Sequence, residues 1–326
     1  MKIPAIAALL VSPVLPLVLS LAASLSHAQT YPTKNVRIIV GLAPGGTTDV
    51  FTRTLAQRLT EAWGQTVIVE NRPGASGMIG GEAVAKAAPD GYTLLVSPQT
   101  SLAVAPALYG KAPYDTAKDF APVSLLGSTP LVMIVHPSFP AKTFKDFIEL
   151  ARKQPLTFGS GGVGSSPHMT GELIGAALGV RMTHVPYKGE NPAIADTIGG
   201  QIPIMFGNLP VALPHVRSGK VLALATTTAK RSPLAPEIPT MSEGGIKDFE
   251  MATWYGMLAP AGTPPELVSK IQADSARVLS DAATRERLTK MGVDLVLNTP
   301  DEFKAYLASE IARYTKIIKA NGLKAE

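Results

Sequence analysis

The sequence predicts an α/β protein of two similar lobes with mostly parallel sheets, joined by two crossover segments that leave a cleft between them. Three observations predict it. Apolar runs about five residues long alternate with helically spaced segments along most of the chain. Two of the strand-to-helix junctions are glycine-rich loops, and these two junctions lie in separate halves of the sequence.

The first unit begins with the apolar run Val36–Val40, a buried strand closed by Gly41. The loop Ala43-Pro44-Gly45-Gly46-Thr47-Thr48-Asp49 follows. Phe51, Leu55, Leu59 and Ala62 then fall on one helical face that Gly64 ends, and a strand is expected at 67–70. The second unit repeats the pattern. A strand at 156–158 leads into Gly159-Ser160-Gly161-Gly162-Val163-Gly164-Ser165-Ser166, then a helix with Met169, Leu173 and Ala176 inward and Gly179 at its end, then a strand at 181–185. Further strands are expected at 92–97, 131–136, 202–206 and 221–225. Helices are expected at 143–153, 192–198, 264–279 and 300–321, several opening on Thr or Pro as helix starts do. Crossings between lobes fall near 127–130 and 249–256. The expected division is residues 29–128 plus 253–326 for lobe 1 and 129–252 for lobe 2.

Residues 1–28 have the pattern of a signal peptide: Lys2, an almost wholly apolar stretch from Ile3 to Leu25, and the small-x-small site Ser26-His27-Ala28, with cleavage after Ala28. Pro13 and Pro16 interrupt the stretch and argue against a retained anchor. Loss of the leader removes one of 30 basic residues, leaving 29 against 25 acidic ones and a mild charge of +4. The basic residues are scattered singly, unlike a nucleic-acid groove. The chain has no cysteine, which excludes disulfides, thiol catalysis, thiolate metal sites and a lipidated cysteine. Export to the periplasm as a freely soluble, monomeric protein is the corresponding expectation.

The two loops carry the chemistry. Gly45 and Gly46 lack Cβ atoms, so backbone N–H groups can close around an oxygen, and Thr47, Thr48 or Asp49 can cap the following helix. A helix N-terminus presents unpaired donors and partial positive charge, which suits a carboxylate or phosphate. Asp49 suits backbone capping better than contact with an anion. Gly159, Gly161 and Gly164 formally match a dinucleotide fingerprint, but the next strand has no acid for a ribose, so no nucleotide cofactor is expected. Ser160, Ser165 and Ser166 add hydroxyl donors there, and His168 falls in the first helical turn. Strand C-terminal ends add Ser97, Gln99 and Thr100, and Phe206, Gly207 and Asn208. Leu42, Ala43 and Pro44 complete the set of candidate ligand-binding residues. Three or four charge-assisted hydrogen bonds of about 1.5–3 kcal/mol each are compatible with micromolar affinity. No metal-binding, hydrolase-elbow or P-loop pattern is present in the sequence.

The residues resemble the tripartite tricarboxylate transporter solute receptors, the Bug receptor family. The landmarks are Pro44-Gly45-Gly46-x-x-Asp49, Val69-Glu70-Asn71-Arg72-Pro73-Gly74-Ala75, Pro89-Asp90-Gly91-Tyr92-Thr93-Leu94-Leu95, Pro113-Tyr114-Asp115, Lys118-Asp119-Phe120-Ala121-Pro122-Val123, His184-Val185-Pro186-Tyr187-Lys188-Gly189 and Leu258-Ala259-Pro260-Ala261-Gly262-Thr263-Pro264. The resemblance implies a type II periplasmic binding-protein fold that closes on a small carboxylate as a hinged clamp and hands it to the membrane permease subunits of a tripartite transporter. It also implies that Gly45 to Thr48 and Gly161 to Ser166 contact the carboxylate, partly through water.

Two departures alter the expected pocket. Gly41-Leu42 stands where the family commonly has Pro-Phe, so an aromatic wall is lost. Gly207 stands where an acid is common, which favours a ligand without an amino group. Two other readings are a receptor that signals to a membrane sensor, and an enzyme on the same frame with Ser166 as nucleophile and His168 as base.

Overall fold

Two wings of parallel strands meet on a pair of long antiparallel strands. The computed structural model describes residues 31–324; the expected leader and the cleavage point after Ala28 lie outside the described residues. In the first wing β1 (Val36–Val40) lies between β2 (Val67–Asn71) and β3 (Thr93–Pro98), parallel to both. In the second, β5 (Leu156–Ser160) lies between β6 (Met182–Pro186) and β7 (Ile204–Asn208), again parallel to both. Every residue of β3 is buried, and in β1 only Arg37 is exposed, as expected of strands covered on both faces.

The centre differs from the expected short strands and crossings. β4 runs unbroken for 16 residues, Phe120–Val135. Its first part pairs antiparallel with β9 (Ala252–Pro260), and its last five residues, Leu131–Val135, pair antiparallel with β7, the last four of them also with β8 (Leu222–Thr226). A short β10 (Asp294–Leu295) lies against Gly127 and Ser128, where the missing Cβ matters: a Cβ on Gly127 would stand 2.8 Å from the Asp294 carbonyl. The path β2-β1-β3-β9-β4-β7-β5-β6 therefore carries both wings on β4 and β9.

Helices cover the sheets: α1 (Thr47–Trp63), α2 (Met78–Ala85), α3 (Ala105–Tyr109), α4 (Phe144–Lys153), α5 (Ser166–Leu178), α6 (Glu190–Ile198), α7 (Leu209–Arg217), α8 (Pro265–Leu279), α9 (Ala282–Lys290) and α10 (Pro300–Ala320). α1 buries Phe51, Leu55 and Leu59 as its spacing requires, but Ala62 is exposed in the last turn before the left-handed Gly64. The inward face of α5 is also rotated from the expected one. Met169 and Ile174 are buried and Ala176 is exposed. Gly171 explains the rotation, because Phe158 packs so closely on it that a Cβ there would stand 2.3 Å from the ring. α4 and α10 open on capping boxes at Thr143 and Thr299.

Candidate functional site

Four helices begin at one cavity of about 520 Å³, a volume within the range of small-molecule sites. Its lining includes Gly46 and Thr47 of α1, Ser165 and Ser166 of α5, Gly189 and Glu190 of α6, and Asn208, the N-cap of α7. Each helix start contributes unpaired N–H donors and partial positive charge. Gly46 and Gly189 are the N-caps of α1 and α6 and bring no side chain to occupy those donors. Gly46 has extended backbone (φ −77°, ψ 168°), and among the described residues nothing lies within 4 Å of the position its Cβ would take.

Asp49 holds the first loop in shape. Its Oδ2 accepts from Gly45 N–H (2.9 Å) and Arg53 Nε (3.0 Å), and its Oδ1 accepts from Asn71 Nδ2 (2.9 Å). Burial pushes its carboxyl up, yet the bonds from Arg53, Gly45 and Asn71 outweigh that and hold it below the usual range. Asn71 Nδ2 also donates to the Leu42 carbonyl at 3.0 Å. Ahead of the loop, a Cβ on Gly41 would stand 2.5 Å from the Gly77 carbonyl, so proline has no room there; Leu42 lines the cavity.

The second loop is braced from below. Ser160 Oγ hydrogen-bonds His184 Nε2 (2.7 Å) and the backbone of Gly162. Gly164 N–H donates to His168 Nδ1 at 3.0 Å, and the His168 ring stacks on His184 with centroids 3.9 Å apart. Burial, then the proximity of His168, pushes His184 down to about 3. Ser165 caps α5 by accepting from His168 N–H.

A polar strut ties the floor of the cavity to the central strands. Gln99, fully buried, donates from Nε2 to Ser166 Oγ and to the Ala252 carbonyl, both at 2.8 Å, and accepts from Trp254 N–H at 2.8 Å. Asn208 accepts from Thr253 Oγ1 (2.8 Å) and donates to Glu190 through its N–H (3.2 Å) and Nδ2 (2.5 Å).

Of the sequence-predicted residues, the cavity brings together Leu42, Gly45, Gly46, Thr47, Thr48, Thr100, Ser165, Ser166 and Asn208. Ala43 and Pro44 are exposed in the first loop outside its lining. Asp49, Gln99, Ser160 and His168 are buried supports of the loops and floor. Ser97 is buried in β3 opposite Gly256, and Phe206 is buried edge-on against Phe158. Gly161 and Gly164 shape the second loop, Gly161 by lying against Gly189 and Glu190. Gly207 backs onto Glu190. Ser166 and His168 do not form a nucleophile–base pair, since the hydroxyl receives Gln99 and the Nδ1 receives Gly164.

Sequence reasoning opens α6 at Pro192, two residues late, and so passes over Glu190; it places no helix at α7, for which Pro210 in the first turn was the available signal. Glu190 supplies an acid beside Gly207, where sequence reasoning noted only the loss of an acid at position 207. A Cβ on Gly207 would lie 3.8 Å from Glu190 Oε2. Burial pushes the Glu190 carboxyl up to about 7 against the opposing effect of the Asn208 bonds.

Comparison with known proteins places this geometry. The BugT protein of Bordetella pertussis is 37% identical over 300 residues, covering 91% of this chain and 92% of BugT. Among solved structures, an R. palustris protein with adipate is 35% identical with a TM-score of 0.79, covering 90% of this chain and 99% of that one. MatC from Rhodopseudomonas palustris, with bound malate, is 32% identical with a TM-score of 0.75, covering 88% of this chain and all of that one. Residues 51–323 match the family described as the tripartite tricarboxylate transporter family receptor. With a two-lobed α/β frame, a family match across most of its length and relatives of this similarity, the chain belongs to the tripartite tricarboxylate transporter receptor family, of Bug type.

Proposed function

We propose that the protein is a periplasmic solute receptor that captures a small organic carboxylate in this cavity and delivers it to the permease subunits of a tripartite transporter. The observation that carries the proposal is the convergence of four helix starts, two of them capped by glycine, on one cavity. Such ends bind an anion through backbone donors without a basic side chain. The relatives solved with adipate and malate support the ligand class. Among the described residues no helix is long and apolar enough to cross a membrane, and no group of side chains could hold a metal ion.

In this reading the ligand carboxylate bridges the starts of α1 and α5, and residues 129–252 close as one lobe over residues 29–128 and 253–326. Only contacts that are stronger in the closed form can drive closure. A thermal-shift screen of dicarboxylates, tricarboxylates, aromatic acids and acidic amino acids tests the proposal. At one hundred times its dissociation constant a specific ligand stabilises the fold by about 2.7 kcal/mol. Absence of stabilisation by every acid, at millimolar concentration, would falsify it.

A further inference from the structure

Glu190 places a carboxyl group inside a cavity otherwise built from helix starts. Its carboxylate accepts both the N–H and the Nδ2 of Asn208, the N-cap of α7, and so occupies the electropositive end of that helix. Glycines in the loop after β5 and in β7 make room for it. A Cβ on Gly161 would stand 3.3 Å from Glu190 Cγ, and one on Gly207 would stand 3.8 Å from Glu190 Oε2. The side chain is therefore confined between the loop after β5 and the end of β7. The other side of the Asn208 amide is held by Thr253, which fixes the pair to β9.

A carboxylate has about four acceptor positions, and Asn208 fills two of them. Among the described residues no cation lies within ion-pairing distance of Glu190, although Lys188 lines the same cavity. The carboxyl is also enclosed enough for burial to push it up to about 7, so it gains from any partner that donates a hydrogen bond or carries positive charge. A second ligand carboxylate at this position meets an acid seated where its own counter-dipole would be. An ammonium or hydroxyl meets an acceptor.

We propose that Glu190 is a specificity determinant that makes this receptor select carboxylates bearing a hydrogen-bond donor, an ammonium or a hydroxyl group, over acids of the same carbon skeleton that lack one. The inference rests on the carboxylate-receptor reading and narrows its ligand class.

Titration calorimetry on the purified chain, E190Q and the double variant E190A/G207D tests it with two matched series: succinate, malate and aspartate, and adipate, 6-hydroxyhexanoate and 6-aminohexanoate. The double variant moves the acid to position 207, where, among the described residues, the other close neighbour of a Cβ is the Met205 methyl at 3.3 Å. The native chain is expected to bind a donor-bearing member at least tenfold more tightly than the donor-free member of its series. E190Q should erase that preference if the donor is ammonium and retain part of it if the donor is hydroxyl, because the amide oxygen still accepts. E190A/G207D should restore it. A donor-free acid bound as tightly as its partners by the native chain, or an E190Q preference equal to the native one, overturns the assignment. Absence of binding by all six acids overturns this inference, whereas the receptor reading itself falls only if no acid of the thermal-shift screen binds.

Discussion

Replacing Gly46 with leucine isolates the role of the first helix start. The Gly46 backbone is extended and open space surrounds its Cβ position, so leucine fits without backbone strain. Removing glycine's freedom from the unfolded chain favours the fold by about 0.4–1 kcal/mol, while leucine is a poorer N-cap than glycine by a comparable amount, so urea unfolding should show a midpoint close to the native one. The leucine side chain stands in the cavity and denies the ligand the first-turn donors of Thr47 and Thr48. Two charge-assisted hydrogen bonds at about 1.5–3 kcal/mol each amount to about 3–6 kcal/mol, a weakening of roughly 10²- to 10⁴-fold. Calorimetry with the tightest acid from the thermal-shift screen reads this directly. A folded variant whose affinity stays within threefold of native refutes the idea that the start of α1 grips the ligand.

Other perturbations test the supports. Gln99→Ala strands Ser166 Oγ, the Ala252 carbonyl and Trp254 N–H at about 1–3 kcal/mol each. It should lower urea stability by about 3 kcal/mol or more and shift Trp254 emission, and a loss under about 1 kcal/mol counts against the strut. Gly171→Ala drives a methyl into Phe158 and should cost about 1–3 kcal/mol by the same measurement; a neutral result means the close contact is not the reason α5 turns this face inward. Stability against pH follows from two half-buried groups of opposite sign. His184, lowered from 6.5 to about 3, contributes stability above pH 6.5 that is lost as pH falls toward 3. Glu190, raised from 4.5 to about 7, contributes stability below pH 4.5 that is lost as pH rises through 7. Between about pH 4.5 and 6.5 the two slopes, each at most about 1.4 kcal/mol per pH unit, cancel. H184Q should therefore lose stability as pH rises across that window and E190Q should lose it as pH falls, whereas parallel profiles for the two variants would contradict the assignment.

The wings were legible because their strands are short apolar runs and their helices start at glycine loops. Val36–Val40 and the buried Phe51, Leu55 and Leu59 follow directly from spacing. The centre was not legible, because Pro122, Gly127 and Pro130 interrupt β4 where a buried strand is ordinarily continuous in apolar character. Its two breaks in register, at Pro122/Ser124 and Leu125/Gly127, fall at Pro122 and Gly127. At the site, the two glycine loops stood out, but the importance of Glu190 depends on Gly161, Gly207 and Asn208 meeting from three separate segments, and no spacing along the chain encodes that meeting.

The long strand β4 and its partner β9 have a mechanical consequence. Because one unbroken ribbon is woven into both wings, any change in the angle between them must be taken up as twist along a hydrogen-bonded ladder instead of rotation at a loose joint. Such a ribbon behaves as a torsion bar: its resistance is spread over many residues, and stiffening any stretch of it raises the resistance of the whole ribbon to twist.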